Sequence, residues 1–393
     1  MKRTIAVVTT SRADYSHLYW PLKDLAAHPG VELKLIVLAA HLSPDFGNTV
    51  GEIERDGFPI AARIECLLSS DSDVGMAKTL GLAVLGLTDA LAQMRPDLLL
   101  LIADRYEMLA PASVALTLRI PVAHIEGGEI SEGAIDDAVR NALTKLAHLH
   151  FTSTETARAR VIAMGEEPWR VHRAGAPSLD HLRRSTLLTR GELEAELGVS
   201  LANEIAVVAY HPVTIFKDTT AEAEAVFAAL AEVQGQILFC YPNADAGSYA
   251  LMARIRSFCA EHAEAHLFVN LPSITYWSLL REASVMIGNS SSGIMEAASF
   301  ALPVVNVGMR QQGRERGVNI LDAEATVESI RAQLQKAGEA GFRERLRSEK
   351  NIYGDGHAAE RIVNVLTSTP LEGLLHKRAQ ALPAELRPAE GLC

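Results

Sequence analysis

Strand and helix patterns alternate from the first residues of this chain, and no other feature narrows its fold so far. TIAVVTT (4–10) is an apolar run rich in β-branched residues, and SRADYSHLYWPLKDLAAH behind it repeats its apolar positions at helical spacing. VELKLIVLAA (31–40) reads as the second strand. HLSPDFGNTVGEIERDG then leads through a loop into a short helix, PIAARIE supplies a third strand, and GMAKTLGLAVLGLTDALAQMRP is a long helix closed by Pro96. This alternation predicts a parallel sheet with helices on both faces, a doubly wound α/β domain. With 393 residues, 48% of them hydrophobic, the chain can bury one large core or two ordinary ones. Two is the better fit, because RVHRAGAPSLDHLRRSTLLTRGELEAELGV, with Gly175 and Pro177, changes texture and places a boundary between residues 176 and 200.

The second half repeats the architecture without repeating the sequence. EIAVVAYHPVT, QILFCYPNADAGS, AHLFVNLP and ASVMIGNSSSG each read as strand then loop, and ALPVVNVG closes the series. The first four end in polar loop residues: His211, then Asn243 and Asp245, then Asn270, then Ser290 to Ser292. Two such domains with polar strand ends predict a ligand held between them.

Acidic residues concentrate in one stretch. ADRYEMLAPASVALTLRIPVAHIEGGEISEGAIDDAVR gathers Asp104, Glu107, Glu126, Glu129, Glu132, Asp136 and Asp137. The strand-like runs DLLLLIA and RIPVAHI lead directly into Asp104 and Glu126, and the carboxyl ends of parallel strands face the ligand crevice. Paired carboxylates there suit general acid and base chemistry. Asp136 and Asp137 open an amphipathic helix, where a carboxylate complements the helix dipole, and that capping role is the plain alternative for at least one of them. His148 and His150 alternate as strand residues do and read as packing or surface histidines rather than metal ligands.

Composition excludes several partners. A net charge of −11 argues against a nucleic-acid backbone, which requires a basic face, but allows a local site for one small anion. MKRTIAVVTT meets Ser11, Arg12 and Asp14 too soon for a signal peptide, and no stretch nears about 18 uninterrupted apolar residues, so no membrane span is expected. Cys66, Cys240, Cys259 and Cys393 are scattered, as expected of reduced thiols in a cytoplasmic protein without structural zinc. No glycine-rich fingerprint follows the first strand, which weighs against a nicotinamide or flavin, and no cofactor is expected.

The strongest nucleotide signal is GNSSSGIMEA. A strand, a run of hydroxyl residues, a glycine and a helix create free N–H groups suited to phosphates, with Glu296 one turn into the helix; an ordinary serine-rich cap is the bland alternative. Arg12 after the first strand either reaches a phosphate or forms a surface salt bridge. Arg310, nearer its strand end than Arg314 and Arg316, either compensates a diphosphate or belongs to a solvated basic loop. His211 is open to reading as a general acid, a phosphate donor or a capped loop residue.

Taken in order, ADRYEML, HIEGGEISEGAIDDAVRNALTKLAHLHFTSTE, AYHPVT, YPNADAGS, GNSSSGIMEA and RQQGRERG resemble the hydrolysing UDP-N-acetylglucosamine 2-epimerases of sialic acid, legionaminic acid and related nonulosonic acid biosynthesis, over residues 4 to 365. One departure is Ala103, where the family more often has glycine. The resemblance implies a GT-B-like fold: two Rossmann-like domains (1–180 and 200–350) across a cleft, a helix within 351–367 crossing back to the first, and a tail, 368–393, without an assigned role. It implies anti elimination of UDP to a 2-acetamidoglucal, then addition of water to release the free 2-epimer. Asp104, Glu126 and Asp136 match the family's catalytic carboxylates and His211 its motif histidine near the diphosphate. Arg12, Ser290, Ser291 and Arg310 match phosphate contacts, and Glu296 the ribose contact. The donor is UDP-N-acetylglucosamine or a UDP-2,4-diacetamido-trideoxy sugar, and the assembly a homodimer or homotetramer. A non-hydrolysing epimerase, a GT-B glycosyltransferase and a silent nucleotide-sugar sensor are the other readings of the same motifs.

Overall fold

A computed structural model describes residues 2–70, 72–240, 247–269 and 271–380. Asn243, Asp245 and Asn270, expected at strand ends, lie outside the described residues, as does the chain beyond residue 380. The first sheet contains β1 (Arg3–Thr9), β2 (Val31–Leu38), β3 (Ile60–Ile64), β4 (Leu98–Ile102), β5 (Val122–Ile125), β6 (Leu149–Thr152) and β7 (Val171–Arg173). Its strands are all parallel, in the order β3-β2-β1-β4-β5-β6-β7. The second contains β8 (Ile205–Ala209), β9 (Gln236–Cys240), β10 (Ala265–Phe268), β11 (Val285–Gly288), β12 (Val304–Val307) and β13 (Ile320–Ala323). It too is parallel, in the order β10-β9-β8-β11-β12-β13.

Helices cover both faces of each sheet, so central strands bury every residue and read as unbroken apolar runs. LLLLI in β4 and IAVVA in β8 show this burial throughout. The edge strands β7 and β13 were not legible in the sequence. Only Val171 of β7 is fully buried, and β13 buries just Leu321 and Ala323, leaving too short a pattern to register. The long helix Asp73–Met94 has the length and composition of a membrane span, yet it buries Gly75, Thr79, Ala83, Leu87 and Leu91 against its own domain, next to the helix Leu109–Leu118.

The chain returns to the first domain through the helix Ala358–Ser368. It packs on the helix Arg12–Ala27 and places Ala358, Ile362, Val363 and Leu366 in the first core. His357 at its N-cap makes no side-chain capping bond. Asp180, distant in sequence and fully buried, caps it instead, accepting from the N–H groups of Ala358 (2.9 Å) and Ala359 (2.8 Å). Removing that acceptor leaves two buried donors unpaired at a helix end. Asp180→Ala is therefore expected to lower unfolding free energy by about 1–3 kcal/mol, read as an earlier urea midpoint with an unchanged slope.

Candidate active site

Both sheets reverse strand order at the same place, between β1 and β4 in the first and between β8 and β11 in the second. In a doubly wound sheet the loops on either side of a reversal diverge and leave a crevice beyond the carboxyl ends. Arg12 follows β1, Asp104 follows β4 and Glu126 follows β5; across the cleft, His211 follows β8, Ser290 and Ser291 follow β11, and Arg310 follows β12. These residues, with Asp136 and Glu296, line one cavity of about 1280 Å³ including its open mouth. The structure thus brings these nine residues to one place.

Two strand ends in the first domain are strained. Ala103 (φ 56) and Glu126 (φ 66) are left-handed, a conformation costing a residue with a Cβ about 1–2 kcal/mol. It turns the chain sharply out of the sheet and aims the following acid, or the acid itself, at the cleft. The bonds His124 Nε2 to Ala103 O (2.8 Å), Ala103 N to Ile125 O (3.0 Å) and Glu126 N to Phe151 O (2.7 Å) hold these turns. Glycine would avoid this strain at the position of Ala103.

The cavity carboxylates Asp104, Glu126, Asp136 and Glu296 each have a basic neighbour. Arg140, fully buried, donates to Asp104, to Glu129 O (3.0 Å) and to Ser131 Oγ (3.0 Å). Arg310 lies 3.2 Å from Asp136 across the cleft. His17 places Nδ1 2.7 Å from Glu126 and Nε2 3.2 Å from Glu296. Arg12 reaches over the cleft to the carbonyl of Leu271. Asp137 has a structural role, since its carboxylate accepts from Ser131 N (2.8 Å) and Asn141 Nδ2 (3.1 Å).

The acid-bearing loop after β5 touches the second domain directly. Glu132 N donates to Gln312 O (3.1 Å) and Ile135 N to Thr214 Oγ1 (3.1 Å). Gly133 sits so close to the loop after β12 that a Cβ there would meet Met309 O at 2.5 Å. Glycine is required by this approach, not by its own backbone angles.

One expectation needs correction. The helix after the serine turn is short, Ser291–Met295, and gives way to a tighter turn over Ala297–Phe300. Glu296 therefore ends the helix instead of lying inside it, and the dipole on offer is that of little more than one turn. Its carboxylate is held by His17 and by Ser292 Oγ, which itself accepts from Tyr276 Oη (2.8 Å). At His211, burial, reinforced by Arg310, Arg105 and Arg12, holds the imidazole well below its ordinary value and favours the neutral ring. Asn289 fixes its backbone, donating to His211 O (2.9 Å) and accepting from His211 N (2.7 Å).

His17 and Arg140 were missed by sequence reading. Each sits on a helix where charge resembles a solvated face, and only the distant partners reveal otherwise. The spacing of Arg12, Asp14 and His17 around the start of one helix was the available signal, because the first turns of a helix after a parallel strand face the crevice.

The fold and cavity define a GT-B-like α/β protein with a ligand cleft between two Rossmann-like domains. Among solved structures, a Neisseria meningitidis UDP-GlcNAc 2-epimerase bound to UDP-GlcNAc shares this fold with a TM-score of 0.79 at 16% identity, over 93% of this chain and 100% of that one. A Methanocaldococcus jannaschii UDP-GlcNAc 2-epimerase in complex with UDP-GlcNAc and UDP gives 0.77 at 16% identity, over 93% and 100%. The sequence matches the UDP-N-acetylglucosamine 2-epimerase family over residues 23–367. It is 37% identical to the UDP-N,N'-diacetylbacillosamine 2-epimerase (hydrolyzing) of Legionella pneumophila, over 97% of this chain and 100% of that protein. It is 35% identical to the GDP/UDP-N,N'-diacetylbacillosamine 2-epimerase (hydrolyzing) of Campylobacter jejuni, over 96% and 98%. The chain belongs to the UDP-N-acetylglucosamine 2-epimerase family.

Behind the cavity wall, Glu129 is buried with Oε1 unpartnered and Arg314 Nε 3.7 Å from Oε2. Burial, only partly opposed by Arg314, raises its pKa from 4.5 to about 7. As pH rises, the unfolded chain releases this proton before the folded one does. The stability associated with the protonated form is therefore complete below about 4.5 and is lost as pH rises through about 7. Glu129→Gln should remove this dependence, shrinking the loss of unfolding free energy between pH 5 and pH 8 by about 1–3 kcal/mol relative to the wild type, as measured by urea titration at each pH.

Proposed function

We propose that this chain is a hydrolysing 2-epimerase that converts a UDP-linked 2-acetamido sugar into UDP and the free 2-epimer. The observation that carries the reading is one cavity lined on one side by Asp104, Glu126 and Asp136 and on the other by His211, the Ser290 turn, Glu296 and Arg310. A sugar nucleotide has these two ends: a reacting ring, and a diphosphate with a ribose diol. The preferred donor is UDP-N,N'-diacetylbacillosamine, a 2,4-diacetamido sugar nucleotide, because the relatives at 37% and 35% identity over nearly their whole length are named for it. UDP-N-acetylglucosamine is the second donor. The product would be an N-acetylmannosamine-type sugar for nonulosonic acid synthesis.

The chemistry follows from the residue types. A C2 proton beside an acetamido group is barely acidic, so departure of UDP leads and leaves oxocarbenium character at C1. Asp104 stabilises that charge and takes the C2 proton, and Glu126 is the second acid–base group at the ring. Loss of UDP and of that proton gives the 2-acetamidoglucal; water then adds at C1 and a proton returns to C2 on the opposite face. Arg12 and Arg310 compensate the leaving diphosphate, Ser290, Ser291 and neutral His211 donate hydrogen bonds to it, and Glu296 accepts from the ribose hydroxyls. Arg140 pairs directly with Asp104 and so fixes the position of its carboxylate. The proposed setting is a cytoplasmic homodimer or homotetramer. Exposed Leu82 and Leu85 beside exposed Leu116, on helices packed together, support self-association.

Incubation with each donor in deuterated, oxygen-18 water should put deuterium at C2 and heavy oxygen at C1 of the released sugar, as read by mass spectrometry. A UDP-linked epimer as final product would instead identify a non-hydrolysing enzyme, and no UDP or glycal from either donor would overturn the reading. Asp104→Asn and Glu126→Gln are each expected to lower turnover about 10²- to 10⁴-fold with UDP affinity retained. Unchanged turnover would remove them from the mechanism.

A further inference from the structure

No role assigned above uses His17, although it stands between the two halves of the cavity. It belongs to the helix Arg12–Ala27 in the first domain, with a side chain 17% exposed. Nδ1 lies 2.7 Å from Glu126 Oε1, in the same domain, and Nε2 lies 3.2 Å from Glu296 Oε1, in the other. Ionised carboxylates only accept hydrogen bonds, so two ring nitrogens facing two carboxylates require a doubly protonated ring or a carboxyl that keeps a proton. Burial opposes the imidazolium, but Glu126 and Glu296 together outweigh it and hold the ring well above its ordinary pKa. The other titrating groups acting on the ring are Asp14, on the same helix, and His181, on the helix Asp180–Arg184. Burial pushes His181 down to about 4, so it brings no charge near neutrality.

Glu296 is engaged by His17 Nε2 and by Ser292 Oγ. A ribose diol that donates to this carboxylate must displace one or both. We propose that His17 is a positioning residue that couples nucleotide occupancy at Glu296 to the protonation of Glu126. With Glu296 turned to the ribose, the ring keeps only Glu126 as a partner. An imidazolium deprived of one of its two anions is a stronger acid, and the nearest acceptor for its proton is Glu126 Oε1. In that transfer the Nδ1–H bond breaks and a carboxyl O–H bond forms, leaving a neutral imidazole with no change in total charge. Glu126 then faces a bound sugar nucleotide as a proton carrier, ready to return a proton to C2, and is a carboxylate while His17 still holds Glu296. This inference rests on the reading of Glu126 and Glu296 given under the proposed function.

Two measurements test it. In the wild-type enzyme, the His17 Cε1–Hε1 NMR signal, assigned by its absence from His17→Gln, is followed across pH with and without saturating UDP. The expected result is a midpoint above that of an ordinary histidine in the free enzyme and a fall of about one unit or more with UDP. In parallel, His17→Gln is expected to lower kcat by about 10²-fold, to leave KM and UDP affinity within about threefold, and to displace the pH limb of kcat that belongs to Glu126. A midpoint indifferent to UDP, or a variant with the wild-type pH profile, overturns the proposal. A lower melting temperature with an unmoved pH profile does so as well, since it marks a mere brace. Should the wild type release no UDP from any 2-acetamido donor, the functional reading fails, while the NMR titration with UDP still decides whether His17 responds to the nucleotide.

Discussion

Two parallel sheets, each reversing its strand order once, must leave a gap beyond their carboxyl ends, and the site depends on these two gaps opening toward each other. Hydrogen bonding within the sheets fixes the strand ends, and packed helices fix the sheets. Side chains one or two residues past a strand are therefore positioned by the most rigid part of each domain. Asp104 and Glu126 stand on this base and on a strained turn in addition. The positive φ of Ala103 and Glu126 is stability given up locally so that the acids project from the sheet instead of lying along it.

Opposite charges across the cleft do more than neutralise one another. Arg310 with Asp136 and His17 with Glu296 join the two domains through residues that the proposed chemistry also needs. Contacts of the Gly133 and Glu132 loop with the Met309 and Gln312 loop set how near those groups come. Interdomain geometry and site electrostatics are therefore one system. A change at either loop alters the distance over which the charges act, and in a poorly solvated cleft that distance weighs heavily.

Much of this could be read directly from the residues. Alternating strand and helix patterns gave the doubly wound class, and acids immediately after two apolar runs gave one wall of the cavity. What escaped has a common cause. β7 and β13 are edge strands whose few buried residues set no period. Arg140 and His17 lie on helices where a charged residue ordinarily faces water, and their significance comes from Asp104 and Glu296, far away along the chain. The capping of Ala358 and Ala359 by Asp180 is hidden in the same way. Local pattern reveals which face of an element is apolar; it does not reveal which polar groups will meet across a cleft. The helix expected after the serine turn is there but short, because the chain tightens at Ala297–Phe300 and turns at left-handed Ala301.

The guanidinium of Arg310 does not wait unpaired for an anion, because Asp136 already occupies it. If Arg310 receives the diphosphate as proposed, the incoming anion competes with an internal surrogate, and part of its attraction is spent in prising the two apart. Nucleotide affinity would be moderated as a result, and the same carboxylate could reclaim the arginine as the leaving group departs. A catalyst that discards a nucleoside diphosphate in every cycle gains from such a resident competitor, since the grip needed to draw the phosphates away from the sugar would otherwise retain them afterwards.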